Sequence, residues 1–150
     1  MRKARRCGIW WWWKRLAEPG GLADLLARHA GVGRQTAIFL RPERLSAVLI
    51  PQTVDIGLDG LSGDNARPGP RAVTLIQEEQ LPVIAALAHV GGVDTALLRR
   101  NLVVAGINLT ALRNHHLRIG GVVLRLNVQR APCSRTERAI GPGGYNAMRS

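Results

Sequence analysis

Cys133 is the residue whose neighbours carry the most chemistry. It follows Pro132 and precedes Ser134-Arg135-Thr136-Glu137. A serine with a glutamate three residues on is the pattern of a helix capping box, with Ser134 as the cap. The spacing predicts a helix through Ala139 and Ile140 that stops at Gly141-Pro142. Cys133 then lies one residue before a helix N-terminus, near unpaired backbone N–H groups and the positive end of the helix dipole. Arg135 and Arg138 add positive charge, which Glu137 partly offsets. The dipole and the arginines favour thiolate over thiol. A thiolate can ligate a soft metal, or attack and carry sulfur. The competing reading, a buried and inert cysteine, is the commoner fate of this residue type.

Other candidates are weaker. Arg99-Arg100-Asn101 and Arg71 could converge with Arg135 on a phosphate, Asn101 serving as a neutral donor and acceptor. For any one of these arginines a solvated basic face is the simpler reading. Cys7 has basic neighbours but no helix start. His115-His116 is an adjacent pair, poorly placed to share a metal. Gly57-Leu58-Asp59-Gly60-Leu61-Ser62-Gly63-Asp64 is glycine-rich, but it lacks the ending and the strand–helix context of a nucleotide loop. The spacing of Asp55, Asp59 and Asp64 does not match a calcium loop.

The elements that must position these residues are short. A helix is expected from just after Gly21 to Gly31. Gln35–Leu40 and Ala47–Ile50 are β-prone, residues 55–70 turn-rich, and Ala72–Ile76 reads as a strand. Gln77–Val90 reads as a helix with Leu81, Ile84, Leu87 and Ala88 on one face and Gly91-Gly92 as its stop. Asp94 is placed to cap a short helix through Arg100. Leu102–Val104, Ile107–Leu109 and Leu117–Ile119 are short apolar segments, and Val122–Val128 alternates as a half-buried strand does. Many short strands with a few short helices predict a mainly β, α+β fold: a β-barrel or strongly bent sheet with peripheral helices.

The chain has 150 residues, 46% of them hydrophobic, which fits one globular domain and argues against disorder. No apolar run approaches the ~20 residues of a membrane-spanning helix. Two distant cysteines cannot make a disulfide framework, which favours a reducing, cytoplasmic setting. The net charge of +11 points to anionic partners. It is concentrated at the ends: seven basic and two acidic residues lie in 1–30, and nine basic with Glu137 alone acidic in 99–150. Residues 1–15 hold six of the basic side chains, no acid, and Trp10–Trp13. The apolar part is too short for a secretory signal and lacks a cleavage site. Peripheral membrane contact by this segment is a further expectation.

Taken in order, several segments resemble the MOSC domain, found at the C-terminus of molybdenum-cofactor sulfurases and as free-standing bacterial proteins. Ile38-Phe39-Leu40-Arg41-Pro42 looks like its opening strand, and Gly57–Asp64 is similar to its Gly-Leu-x-Gly-Asp loop. Arg71–Ile76 resembles the next strand, and Arg100-Asn101-Leu102-Val103-Val104-Ala105-Gly106 its Arg-Asn-hydrophobic segment. Arg118-Ile119-Gly120 and Pro132-Cys133 complete the order. The resemblance covers about residues 36–149 and divides the chain into 1–35, a basic, Trp-containing leader with a short helix, and 36–150, a MOSC-like domain.

The resemblance implies a bent β-barrel and a role in molybdenum-cofactor chemistry or sulfur transfer. Cys133 matches the cysteine taken to bind molybdenum or to carry a persulfide. Asn101, Arg100, Arg71 and Arg135 match the polar and basic residues that hold the phosphate-bearing pterin. An oxidoreductase acting on N-hydroxylated compounds is then one expectation, with electrons from a partner protein. A sulfur carrier served by a sulfur donor is another. A basic nucleic-acid-binding module is a third and is less favoured, because one Phe and one Tyr leave few stacking platforms. Pyridoxal phosphate is not expected, since the sulfurase's domain for it is absent. The family normally continues with a glycine-containing segment and a closing strand, so a barrel lacking that strand is expected.

Overall fold

The computed structural model describes residues 2–4, 9–10 and 21–149. Cys7 and Trp11–Trp13 lie outside them. The elements run β1 (Arg2–Ala4), β2 (Ile9–Trp10), α1 (Leu22–Ala27), β3 (Arg34–Ile38), β4 (Val54–Gly57), β5 (Gly60–Leu61), β6 (Leu75–Gln77) and α2 (Gln80–Leu87). A 3-10 turn (Thr95–Leu98) follows, then β7 (Leu102–Ala105), β8 (His116–Ile119), β9 (Val122–Arg125), α3 (Ser134–Ile140) and α4 (Gly144–Ala147). The fold is mixed α+β. Among the described residues the strands form three sheets, β1-β4-β5, β2-β8-β9 and β3-β7-β6. All pairings are antiparallel except β6 with β7. That parallel pair needs a long return connection, which α2 and the 3-10 turn supply.

β7 organises the interior. All four of its residues are buried, as a strand covered on both faces requires. Leu102 and Val104 join Ile38, Leu40, Val54, Ile56, Leu61, Leu117 and Ile119 in a core shared by the three sheets. Val103 faces the other way, onto Phe39, Ile76, Ile84, Leu98, Ala147 and Met148, where α2, the 3-10 turn and α4 pack. Each fully buried Leu or Ile contributes about 1.5–3 kcal/mol relative to exposure. The alternation of residues 117 and 119 inward against 116 and 118 outward fixes the register of β8.

Several expectations change in detail: the strand expected over Ala72–Ile76 runs Leu75–Gln77, and the helix expected from Gln77 starts at Gln80. The turn-rich stretch contains a hairpin: Ile56 pairs with Leu61 and Gly57 with Gly60 around Leu58-Asp59. Gly60 has φ +114°, and a Cβ there would lie 2.8 Å from the Ala72 carbonyl oxygen. Ala47–Ile50 forms only a bridge, Leu49 to Leu40. Ile107–Leu109 is a turn and not a strand. Asn108 Oδ1 accepts the Thr110 and Ala111 N–H groups, a side-chain substitute for strand pairing, and Leu109 N–H donates to Gln77 Oε1.

Candidate functional site

Asn101 sits at the junction of four segments. It is buried, and its amide makes four hydrogen bonds. Oδ1 accepts from Thr74 N–H (3.1 Å) and the Thr74 hydroxyl (2.7 Å). Nδ2 donates to the Phe39 carbonyl (3.3 Å) and Asp64 Oδ2 (3.0 Å). The other Asp64 oxygen accepts the Arg41 N–H at 2.7 Å. Segments that are separate in sequence, at 39–41, 64, 74 and 101, therefore meet at one polar node. Both acceptor and both donor positions of the Asn101 amide are thus filled from within the protein.

The node stands behind the wall of a cleft of about 750 Å³, inside the usual range for small-molecule sites. One wall is residues 69–76, the other residues 123–132. Asn127 Nδ2 bridges them by donating to the Pro70 carbonyl (3.2 Å). Among the described residues five arginines line the cleft, Arg71, Arg100, Arg113, Arg125 and Arg130, and no acidic side chain does. Arg100 is buried. Its guanidinium donates to the Arg130 carbonyl (3.2 Å) and, more distantly, to that of Leu98 (3.5 Å). Burial lowers its pKa, the neighbouring Arg130 lowers it further, and the sulfur of Cys133 pulls it back up. Arginine remains protonated throughout.

Arg100 owes its place to the residue before it. Arg99 ends the 3-10 turn at φ 58°, ψ 41°, a left-handed conformation that side chains other than glycine seldom adopt. Arg99 is exposed while Arg100 is buried. The turn starts as expected, with Asp94 Oδ1 accepting from Ala96 N–H at 2.9 Å. The Arg41 guanidinium donates to the Ala96 carbonyl and ties the turn to the polar node.

Cys133 directly follows Pro132, a residue of the cleft wall, and is exposed. It is itself the N-cap of α3, which corrects the expected box of Ser134 and Glu137. The box is Cys133 with Thr136: the Cys133 N–H donates to Thr136 Oγ1 (3.4 Å), and the sulfur lies 3.8 Å from that hydroxyl. Partial burial is the strongest single influence on the thiol and pushes its pKa up. It is outweighed by the backbone N–H groups of Thr136 and Arg135, the Thr136 hydroxyl and the Arg99 guanidinium, so the net shift is downward. Glu137 instead accepts the N–H groups of Gly143 (2.8 Å) and Tyr145 (2.6 Å) at the start of α4.

Arg100 and Arg71 line one cleft, and Cys133, next to the wall residue Pro132, lies close enough to influence Arg100 without lining the cleft itself. Asn101 lies behind the wall. The Arg135 side chain does not line the cleft, and this residue meets the sulfur through its backbone N–H. Arg113, Arg125, Arg130, Thr74 and Thr136 were missed by sequence reasoning. Asp64 had a signal in the ending of the glycine-rich loop; the cleft arginines had none beyond the basic character of residues 99–150.

A family model for the MOSC domain matches residues 59–149, more than half of the chain, and the chain belongs to that family, which is generally linked to molybdenum-cofactor binding. The crystal structure of the YUAD protein from Bacillus subtilis is similar in fold, with TM-score 0.57 and 15% identity over 77% of this chain and 80% of that one. No curated protein matches the sequence.

Proposed function

We propose that the chain binds molybdenum cofactor in the arginine-lined cleft, with the Cys133 thiolate as a ligand to molybdenum. In this reading it takes part in an oxidoreductase reaction such as reduction of N-hydroxylated compounds. The observation that carries it is an exposed, acid-shifted sulfur beside a cleft whose charged side chains are all arginine. That donor set suits the group: a soft thiolate for the metal and forked cations for phosphate oxygens. When bound, the cofactor supplies two-electron redox chemistry at its metal.

The chain's own residues do the rest. Thr136 and the first N–H groups of α3 favour the thiolate form of the sulfur. Arg100, fixed by the Arg130 and Leu98 carbonyls, presents a buried positive charge. Asn101 and Thr74 keep the wall in register with β7. Electrons come from a partner protein. We take the three bent sheets as an open barrel, residues 36–150 as the domain that carries the site, and the cytoplasm as its setting.

The exposure of Cys133 also supports a second reading, a sulfur carrier. There the thiolate attacks the outer sulfur of a donor persulfide, expels the donor's thiolate and holds the sulfur as its own persulfide. The test is anaerobic purification from a cofactor-replete host, with molybdenum and pterin measured for wild type and Cys133→Ser. Wild type should carry both, and the variant several-fold less molybdenum. Equal metal in the two removes the ligand, and a cyanide-labile sulfur on metal-free Cys133 favours the carrier.

A further inference from the structure

Four of the cleft arginines fall into two pairs, one at each end of the wall formed by residues 123–132. Arg100 donates to the Arg130 carbonyl at 3.2 Å, three residues before Cys133. Arg113 and Arg125 are joined through their backbone neighbours. Asn114 N–H donates to the Leu126 carbonyl at 2.7 Å, and Leu126 N–H to that of His115 at 2.9 Å. Arg130 follows Arg125 by five residues, a separation of at most roughly 18 Å.

A cofactor that meets Cys133 accounts for the first pair. Its phosphate monoester brings at most about two negative charges near neutrality. All five cleft arginines stay protonated, and no acidic side chain among the described residues lines the cleft. Cations gathered without counter-ions repel one another, so a further anion is favoured at the second pair. The neighbouring side chains say what carries it. Val123 and Arg125 share one face of β9, and Val123 is 53% exposed. Leu109 begins the turn that carries Arg113 and is half-buried. Both line the cleft, and no aromatic side chain among the described residues does. A base or other flat ring therefore finds no aromatic platform to stack on, whereas an aliphatic chain can cover Val123 and Leu109.

We propose that the Arg113–Arg125 end of the cleft recognises the substrate, and that this substrate is an anionic head, a carboxylate or a phosphate monoester, on an aliphatic body. The two guanidiniums take the head, and the body lies along the wall toward Cys133. The inference rests on the cofactor reading for what occupies the Cys133 end.

The test is calorimetric titration of the metal-free full chain with octanoate, octyl phosphate, acetate and octylammonium. The better of the first two, which identifies the head, should bind at least about tenfold tighter than acetate, the effect of burying about two methylenes. Octylammonium should not bind. Cys133→Ser should titrate as wild type does. Arg113→Gln with Arg125→Gln should weaken binding at least about tenfold. Both residues are exposed, so this double variant should melt with wild type, and from a cofactor-replete host it should carry as much molybdenum. Octylammonium or acetate binding as tightly as octanoate and octyl phosphate overturns the proposal, as does a double variant that binds as wild type does. A double variant depleted of molybdenum also overturns it, since the pair would then hold the cofactor. Molybdenum absent from wild type as well defeats the cofactor reading instead, and the titrations still decide this one.

Discussion

Replacing Asn101 by Ala removes four hydrogen bonds from the polar node. Neutral bonds contribute about 0.5–1.5 kcal/mol each, and a bond to a charged group such as Asp64 about 1.5–3 kcal/mol. Thr74 keeps its backbone links, its hydroxyl and carbonyl accepting the Asn101 N–H (3.1 and 2.9 Å) and its carbonyl also the Leu102 N–H (3.0 Å), and water can reach the half-buried Asp64. A loss of about 3 kcal/mol is expected, which at this chain length is a fall of roughly 6–12 °C in Tm. Thermal and urea unfolding followed by circular dichroism would measure it. Asn101→Asp sharpens the test, since it sets a second carboxylate against Asp64. Like charges raise a carboxyl pKa, so this variant should be least stable near neutrality and recover relative to wild type as the pH falls toward 4. An Asn101→Ala protein within about 2 °C of wild type, yet unable to hold cofactor, would refute the positioning role and make Asn101 a ligand contact.

Alkylation of Cys133 in the metal-free protein should proceed at lower pH than that of an ordinary thiol, and Thr136→Val, which removes one of the groups holding the anion, should move the profile upward; iodoacetamide rates against pH would show both. The Glu137 carboxyl is lowered by the Tyr145 and Gly143 N–H groups, so its contribution to stability is present above the unfolded carboxylate pKa and is lost as the pH falls through the folded one. The Tm difference between wild type and Glu137→Gln should therefore shrink between pH 7 and pH 3. Gly60→Ala would place a methyl 2.8 Å from the Ala72 carbonyl oxygen at φ +114° and should cost about 2–3 kcal/mol in urea unfolding.

What could be read in the sequence was mostly local. The apolar run 102–104, the alternation after Val122, the Asp94 cap and the stop at Gly141 each depend on neighbours in the chain, and each has its counterpart in β7, β9, the 3-10 turn and α3. Errors came where a distant group decided the outcome. Ser134 with Glu137 and Cys133 with Thr136 have the same spacing, and the second pair forms the cap while the Gly143 and Tyr145 N–H groups engage Glu137. The hairpin at Leu58-Asp59 carries no Asn-Gly signal. The internal partners of Asn101 were not legible either, because nothing in its own segment reveals Phe39, Asp64 and Thr74 around it. The assembly of Arg113, Arg125 and Arg130 with Arg71 and Arg100 follows from the register of β8 with β9 and from the bonds that join the two cleft walls.

The most direct test of the central claim, that the sulfur of Cys133 meets molybdenum at the cleft, is molybdenum-edge X-ray absorption on the loaded protein, wild type beside Cys133→Ser. The account predicts one sulfur neighbour fewer around the metal in the variant, with the pterin sulfurs retained. An unchanged sulfur count in a variant that still carries the metal would contradict it.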